Sequence, residues 1–115
     1  MTSFVPTAAR PYALMGFARP KANRAAELKE LLLSFVAPTR EEEGALEYHF
    51  HEDAADPNTF AFYEVWRSKE DLDRHLELPH MRAFWERRME YLEQDLEIHI
   101  LSMQSSYPRP IATQQ

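Results

Sequence analysis

An α+β fold built on one four-stranded antiparallel sheet is the architecture this sequence predicts, and three observations predict it. Four short β-rich segments, at residues 12–19, 45–51, 60–66 and 96–103, and two helical stretches follow one another in the order β-α-β-β-α-β. The two central strands are joined only by "EDAADPNT", a loop with Asp-Pro turn chemistry, so they are neighbours in space. Strands one and three are apolar on both faces, although the helices of such a unit cover only one side of the sheet.

Each element has its own reason. Residues 1–11 carry two prolines and no periodicity and read as an N-terminal arm, ahead of a domain over 12–104 and a tail over 105–115. "YALMGFAR" is apolar, stops at Pro20, and reads as the first strand. From Asn23, the expected N-cap, residues Ala25, Leu28, Leu31, Leu32, Phe35 and Val36 fall on one helical face. Pro38 should kink or end that helix, and "TREEEG" leads to Gly44 as its C-terminal stop. In "ALEYHFH" the alternation sets Leu46, Tyr48 and Phe50 against Glu47, His49 and His51. "FAFYEVW" is the third strand. Ser68 and Asp71 make a capping box for a helix to about Leu78. Pro79 can begin a new helix with Met81, Phe84, Trp85, Met89 and Leu92 as its apolar stripe. "LEIHILSM" closes the sheet. The result is the split βαβ, ferredoxin-like arrangement, with the second helix broken at Pro79. The two-faced strands imply that the open sheet face meets another sheet, most simply that of a symmetric partner.

Composition narrows the function. A chain of 115 residues that is 44% hydrophobic forms one domain with a modest core. The net charge of −6 and the scattered basic residues leave no stripe to neutralise phosphates, so nucleic-acid binding is not expected. Without cysteine there are no disulfides, thiolate ligands or thiol nucleophiles. No apolar run approaches a bilayer span and no leader-like segment is visible, so no membrane association and a cytoplasmic location are expected.

The residues that could carry chemistry are few. His75 and His80 flank Pro79. Their spacing of five puts them roughly 140° apart on a continuous helix, which disfavours a shared metal ion. Each either serves a helix terminus or lines a cavity as proton acceptor, a role suited to imidazole. Glu64 stands mid-strand between Phe62 and Trp66 on one face. Such a carboxylate is either paired structurally or raised in pKa and fit for acid–base work. His49, His51 and Glu47 share a strand face and read as a polar patch, which His99 could join if the register cooperates. Tyr48 and Tyr63 are core residues, although a phenolic hydroxyl can end in a cavity.

Taken in order, Lys21, "TREEEG" (39–44), Leu46 with Tyr48, "YEVW" (63–66), His75 and "PH" (79–80) resemble the antibiotic biosynthesis monooxygenase family over roughly residues 12–103. That resemblance implies a dimeric α+β barrel of two ferredoxin-like protomers. For several members it also implies oxidation of phenolic or quinol-type substrates by O2 with no metal, flavin or haem. It implies further that a tryptophan at the position of Trp66 lines the pocket. Two departures stand out. The first strand lacks the asparagine of haem-degrading relatives, whose iron-ligating histidine falls near Trp85. Phe62 occupies the place where polyketide-oxidising members carry an asparagine.

The expectation is therefore a cofactor-independent monooxygenase acting on a small phenol or hydroquinone with O2. His75, His80 and Glu64 are its candidate catalytic groups, and Trp66, Tyr48 and Phe62 its substrate-binding residues, in a homodimer joined through sheet faces, with no metal site and no cofactor. A non-catalytic ligand-binding or stress-associated dimer, or an isomerase of a small metabolite, are the alternatives. The "YPRP" of the tail is expected to lie across the partner protomer.

Overall fold

A computed structural model describes residues 10–111 and has the expected element order. Strands β1 (Tyr12–Ala18), β2 (Ala45–Glu52), β3 (Phe60–Trp66) and β4 (Glu97–Ser102) form one antiparallel sheet in the order β2-β3-β1-β4. Helices α1 (Ala25–Ser34), α2 (Val36–Arg40), α3 (Lys69–Leu76) and α4 (Pro79–Tyr91) supply the connections. The expected 1–11 arm lies almost wholly outside the described residues.

The register decides which residues face the helices. Tyr12 pairs with Trp66, Leu14 with Glu64, Gly16 with Phe62 and Ala18 with Phe60, while Tyr48 and Phe50 oppose Glu64 and Phe62 from β2. These side chains share the inner face, where Leu28, Phe35, Leu72, Phe84 and Tyr91 of the helices meet them in the core. Fully burying a side chain such as Leu28 or Phe60 contributes roughly 1.5–3 kcal/mol. Gly16 is needed here for space, because a β-carbon would overlap the Phe62 ring.

Several local expectations are corrected. Asn23 lies in a 3-10 turn (Ala22–Arg24), and no side chain caps α1. Pro38 breaks the first helix one turn upstream of itself. It has no N–H to offer Ser34, so the α-helical ladder lapses at Phe35, whose N–H bonds to Leu32 (3.2 Å), and then resumes to Arg40. A β-bulge at Leu46 turns that side chain out of the expected alternation and sets Ala45 against the core. Gly44 does not end a helix. It lies where any β-carbon would overlap the Asp71 side chain, and its carbonyl accepts the Arg67 N–H (2.8 Å).

The second helical region follows its sequence signals closely. Ser68 caps α3, accepting the Asp71 N–H (3.2 Å) while its hydroxyl donates to the Asp71 carboxylate (2.8 Å). α3 stops at Leu76 rather than Leu78, and Pro79 takes the first position of α4. In α4, Phe84 is buried but Trp85 and Met89 are about half exposed, against the expectation that all three pack in the core. Ile98 and Ile100, on the same sheet face, are also exposed: the space between α4 and β4 is a cavity mouth, not packed core.

The outer sheet face is partly covered by the chain itself. The Tyr107 hydroxyl donates to Glu47 (3.2 Å) and accepts from Arg109 (2.7 Å), so "YPRP" returns over the sheet of its own protomer. Val65 and Ala13, paired beside Glu47, are buried, whereas Met15 and Leu101 on that face remain exposed. No helix among the described residues is long and apolar enough to cross a membrane.

Candidate active site

Between the inner sheet face and the helices lies a cavity of about 500 Å³ with mostly apolar walls. Four of the six residues singled out from the sequence line it: Tyr48 from β2, Phe62 and Glu64 from β3, and His75 from α3. β-Strand alternation brings the first three onto one face, and the Ser68 cap sets the start of the helix that carries His75 inward.

His75 is 1% exposed and is held on three sides. Its Nδ1 lies 2.8 Å from Glu42 Oε2, on the turn between α2 and β2. The Trp66 indole packs on its ring at 4.7 Å between centroids, and Tyr48 meets its edge at 5.8 Å. Nε2 is buried and finds no partner among the protein's own groups. Burial lowers the His75 pKa, opposed by the hydrogen bond and charge of Glu42, so the ring is neutral at physiological pH. The expected interaction with helix-terminal carbonyls is replaced by this carboxylate bond.

Glu64 is the second polar group of the wall. Its Oε1 accepts the Trp66 indole N–H (2.9 Å). Burial pushes its carboxyl up to about 7, with the Trp66 bond opposing and the Glu42 charge adding to the rise. A carboxyl so placed spends much of its time protonated near neutrality and can donate a hydrogen bond. Burial also raises the Tyr48 phenol, reinforced by the Glu64 charge, so it stays protonated.

The other two sequence candidates stand elsewhere. Trp66 is fully buried and does not line the cavity; it sits behind the wall, bracing His75 and Glu64. The resemblance had implied a pocket-lining tryptophan there. The exposed indole at the cavity is instead that of Trp85, whose ring takes the Arg88 guanidinium at 3.9 Å, itself clamped to Asp95 (2.8 Å). His80 lies against the Phe35 ring (5.4 Å) and is not among the cavity-lining residues.

Glu42 is the residue that sequence reasoning missed. It sits in "TREEEG", where nothing in the spacing says which of three consecutive glutamates turns inward. On the outer face, His49 bonds Glu47 (3.0 Å) and lies 6.4 Å from His51, forming the expected polar patch. His99 does not join it, because β3 and β1 separate β4 from β2. Among the described residues no group of three or more His, Asp and Glu side chains is arranged to hold a metal ion.

Comparison with known proteins agrees with this architecture. An uncharacterised protein of Synechocystis is 34% identical over 90 residues, covering 78% of this chain; the chain spans 61% of that relative's length. The crystal structure of PA3566 from Pseudomonas aeruginosa superposes with a TM-score of 0.78 at 29% identity, covering 84% of this chain and 96% of that one. Rv0793 from Mycobacterium tuberculosis gives 0.78 at 26% identity, covering 83% and 96%. Residues 11–87 match the family model described as antibiotic biosynthesis monooxygenase. The chain belongs to the antibiotic biosynthesis monooxygenase family.

Proposed function

We propose that this protein is a cofactor-independent monooxygenase that oxidises a small phenol or hydroquinone with O2. The observation that carries the proposal is His75: a neutral imidazole in an apolar cavity, with a buried nitrogen that no protein group satisfies. An electron-rich phenolate reduces dioxygen without help, so the protein has to remove the phenolic proton, keep the ring dry and hold it in place. A hydroquinone and O2 give the hydroxylated quinone and water; the substrate supplies all four electrons and no external reductant is needed. In this reading His75 Nε2 accepts the proton, neutral Glu64 donates to a substrate oxygen, and Phe62 and Tyr48 bound the ring. Trp66 serves from behind as a brace.

The test is oxygen uptake with hydroquinones and anthrone-like phenols in chelator-treated buffer. Uptake that survives chelation and collapses in His75→Gln is expected; no uptake with any compound contradicts the proposal. A ligand-binding dimer without turnover is the second reading, favoured by Phe62, an apolar residue at the position where the family resemblance implies an asparagine in polyketide-oxidising members.

The homodimer belongs to the same proposal. Met15 and Leu101 expose apolar surface on the sheet face opposite the cavity, and a second sheet would bury both. Sedimentation at micromolar concentration should give a dimer, and a monomer there would rule it out.

A further inference from the structure

We propose that Glu42 is the positioning residue of this site, holding the Nδ1–H form of His75 so that Nε2 takes only ligands that donate an O–H. The inference rests on the reading of the cavity as a substrate site and extends it to a rule of ligand choice. A carboxylate has no proton to give, so the 2.8 Å bond between Glu42 Oε2 and His75 Nδ1 places the shared hydrogen on the imidazole. A neutral imidazole has one N–H, and Nε2 is therefore left with its lone pair.

That lone pair is buried and unsatisfied by the protein. A hydroxyl of a phenol or enol satisfies it, while an ether, a quinone carbonyl or a carboxylate presents a second lone pair and is repelled. When the phenolic O–H bond breaks, the proton adds to Nε2, and Glu42 faces the imidazolium that forms. The other titratable groups around His75 do not compete for Nδ1. Glu64 on β3 is bonded to Trp66, and Tyr48 on β2 meets the ring edge. His80 on α4 packs against Phe35. The side chain of Glu42 is 23% exposed, so a change there leaves the core intact.

Nitrogen-15 NMR of the whole protein tests the tautomer, and binding of 2-naphthol against 2-methoxynaphthalene tests the ligand rule. The wild type should show Nδ1–H at His75 and bind the naphthol about tenfold or more tighter than its methyl ether. Glu42→Gln can present its amide N–H to Nδ1 and let the imidazole reverse. It should mix the tautomers, lower the His75 pKa and narrow the naphthol preference, with the fold unchanged by circular dichroism. Nε2–H in the wild type, or the same tautomer, pKa and preference in Glu42→Gln, overturns the proposal. Failure of both naphthalenes to bind while Nδ1–H is held by Glu42 contradicts the phenol reading and supports the positioning role. Turnover of a phenol by a protein whose His75 carries Nε2–H does the reverse.

Discussion

Glu64→Gln should remove a pH dependence of stability that the wild type carries. Glu64 is 6% exposed, and burial raises its carboxyl from the ordinary 4.5 to about 7. The folded state therefore holds the proton more tightly than the unfolded chain does. The stabilising effect of that proton is complete below pH 4.5, fades as the pH rises to about 7, and is lost above it. Ionising the buried group costs about 3 kcal/mol by pH 8, a large share of the roughly 5–15 kcal/mol that stabilises a domain. Glutamine keeps the oxygen that accepts the Trp66 N–H and has nothing to ionise. The groups facing Glu64 are Glu42, Tyr48, Trp66 and His75, and all are common to both proteins. His75, with its lowered pKa, contributes an opposite slope as the pH falls below about 6.5, and comparing the two proteins in a His75→Gln background removes that contribution from the difference. The assay is urea unfolding by circular dichroism from pH 4.5 to 8 at fixed protomer concentration and salt. The variant should gain on the wild type steadily up to about pH 7 and level off near 3 kcal/mol. A difference independent of pH would show that Glu64 ionises without penalty, and the dry wall assigned to it would be wrong.

Two further substitutions test the frame around the site. Gly16→Ala drives a β-carbon into Phe62 and should cost about 1–3 kcal/mol, with Gly16→Ala and Phe62→Ala coupled by more than about 0.5 kcal/mol in a double-mutant cycle by thermal melting. Asp71 is 4% exposed and binds Arg67 through both oxygens (2.8 and 2.9 Å), besides Ser68 and Arg74. Asp71→Ala removes both of its bonds to the Arg67 guanidinium, which keeps only Glu43 (3.1 Å), and should lower stability by about 1.5–3 kcal/mol, measured by urea unfolding.

The fold was legible in the sequence because each element carries more than one agreeing signal. "FAFYEVW" is β-rich and bounded by turns, and its ends match β3 residue for residue. The Ser68 cap and Pro79 fix the start of α3 and of α4 independently of hydrophobicity. What escaped depends on long-range geometry. The bulge at Leu46 has no local marker, since a one-residue slip in a strand changes the partner and not the composition. Gly44 looked like a helix stop because glycine serves both stops and close approaches, and only the packed α3 reveals which applies. Trp85 looked like core because an apolar stripe facing a cavity has the same periodicity as one facing a sheet. The site divides in the same way. Phe62, Glu64 and Tyr48 follow from strand alternation, whereas the bond from Glu42 to His75 joins residues 33 positions apart.

The most direct test of the central claim uses ¹⁸O₂ with an oxidisable hydroquinone in ordinary water and chelator-treated buffer. One labelled oxygen is expected in each product molecule, the second leaving as water, at a rate that falls by at least about a hundredfold in His75→Gln. Product oxygen drawn from water, or labelling at the same rate in His75→Gln, would contradict it.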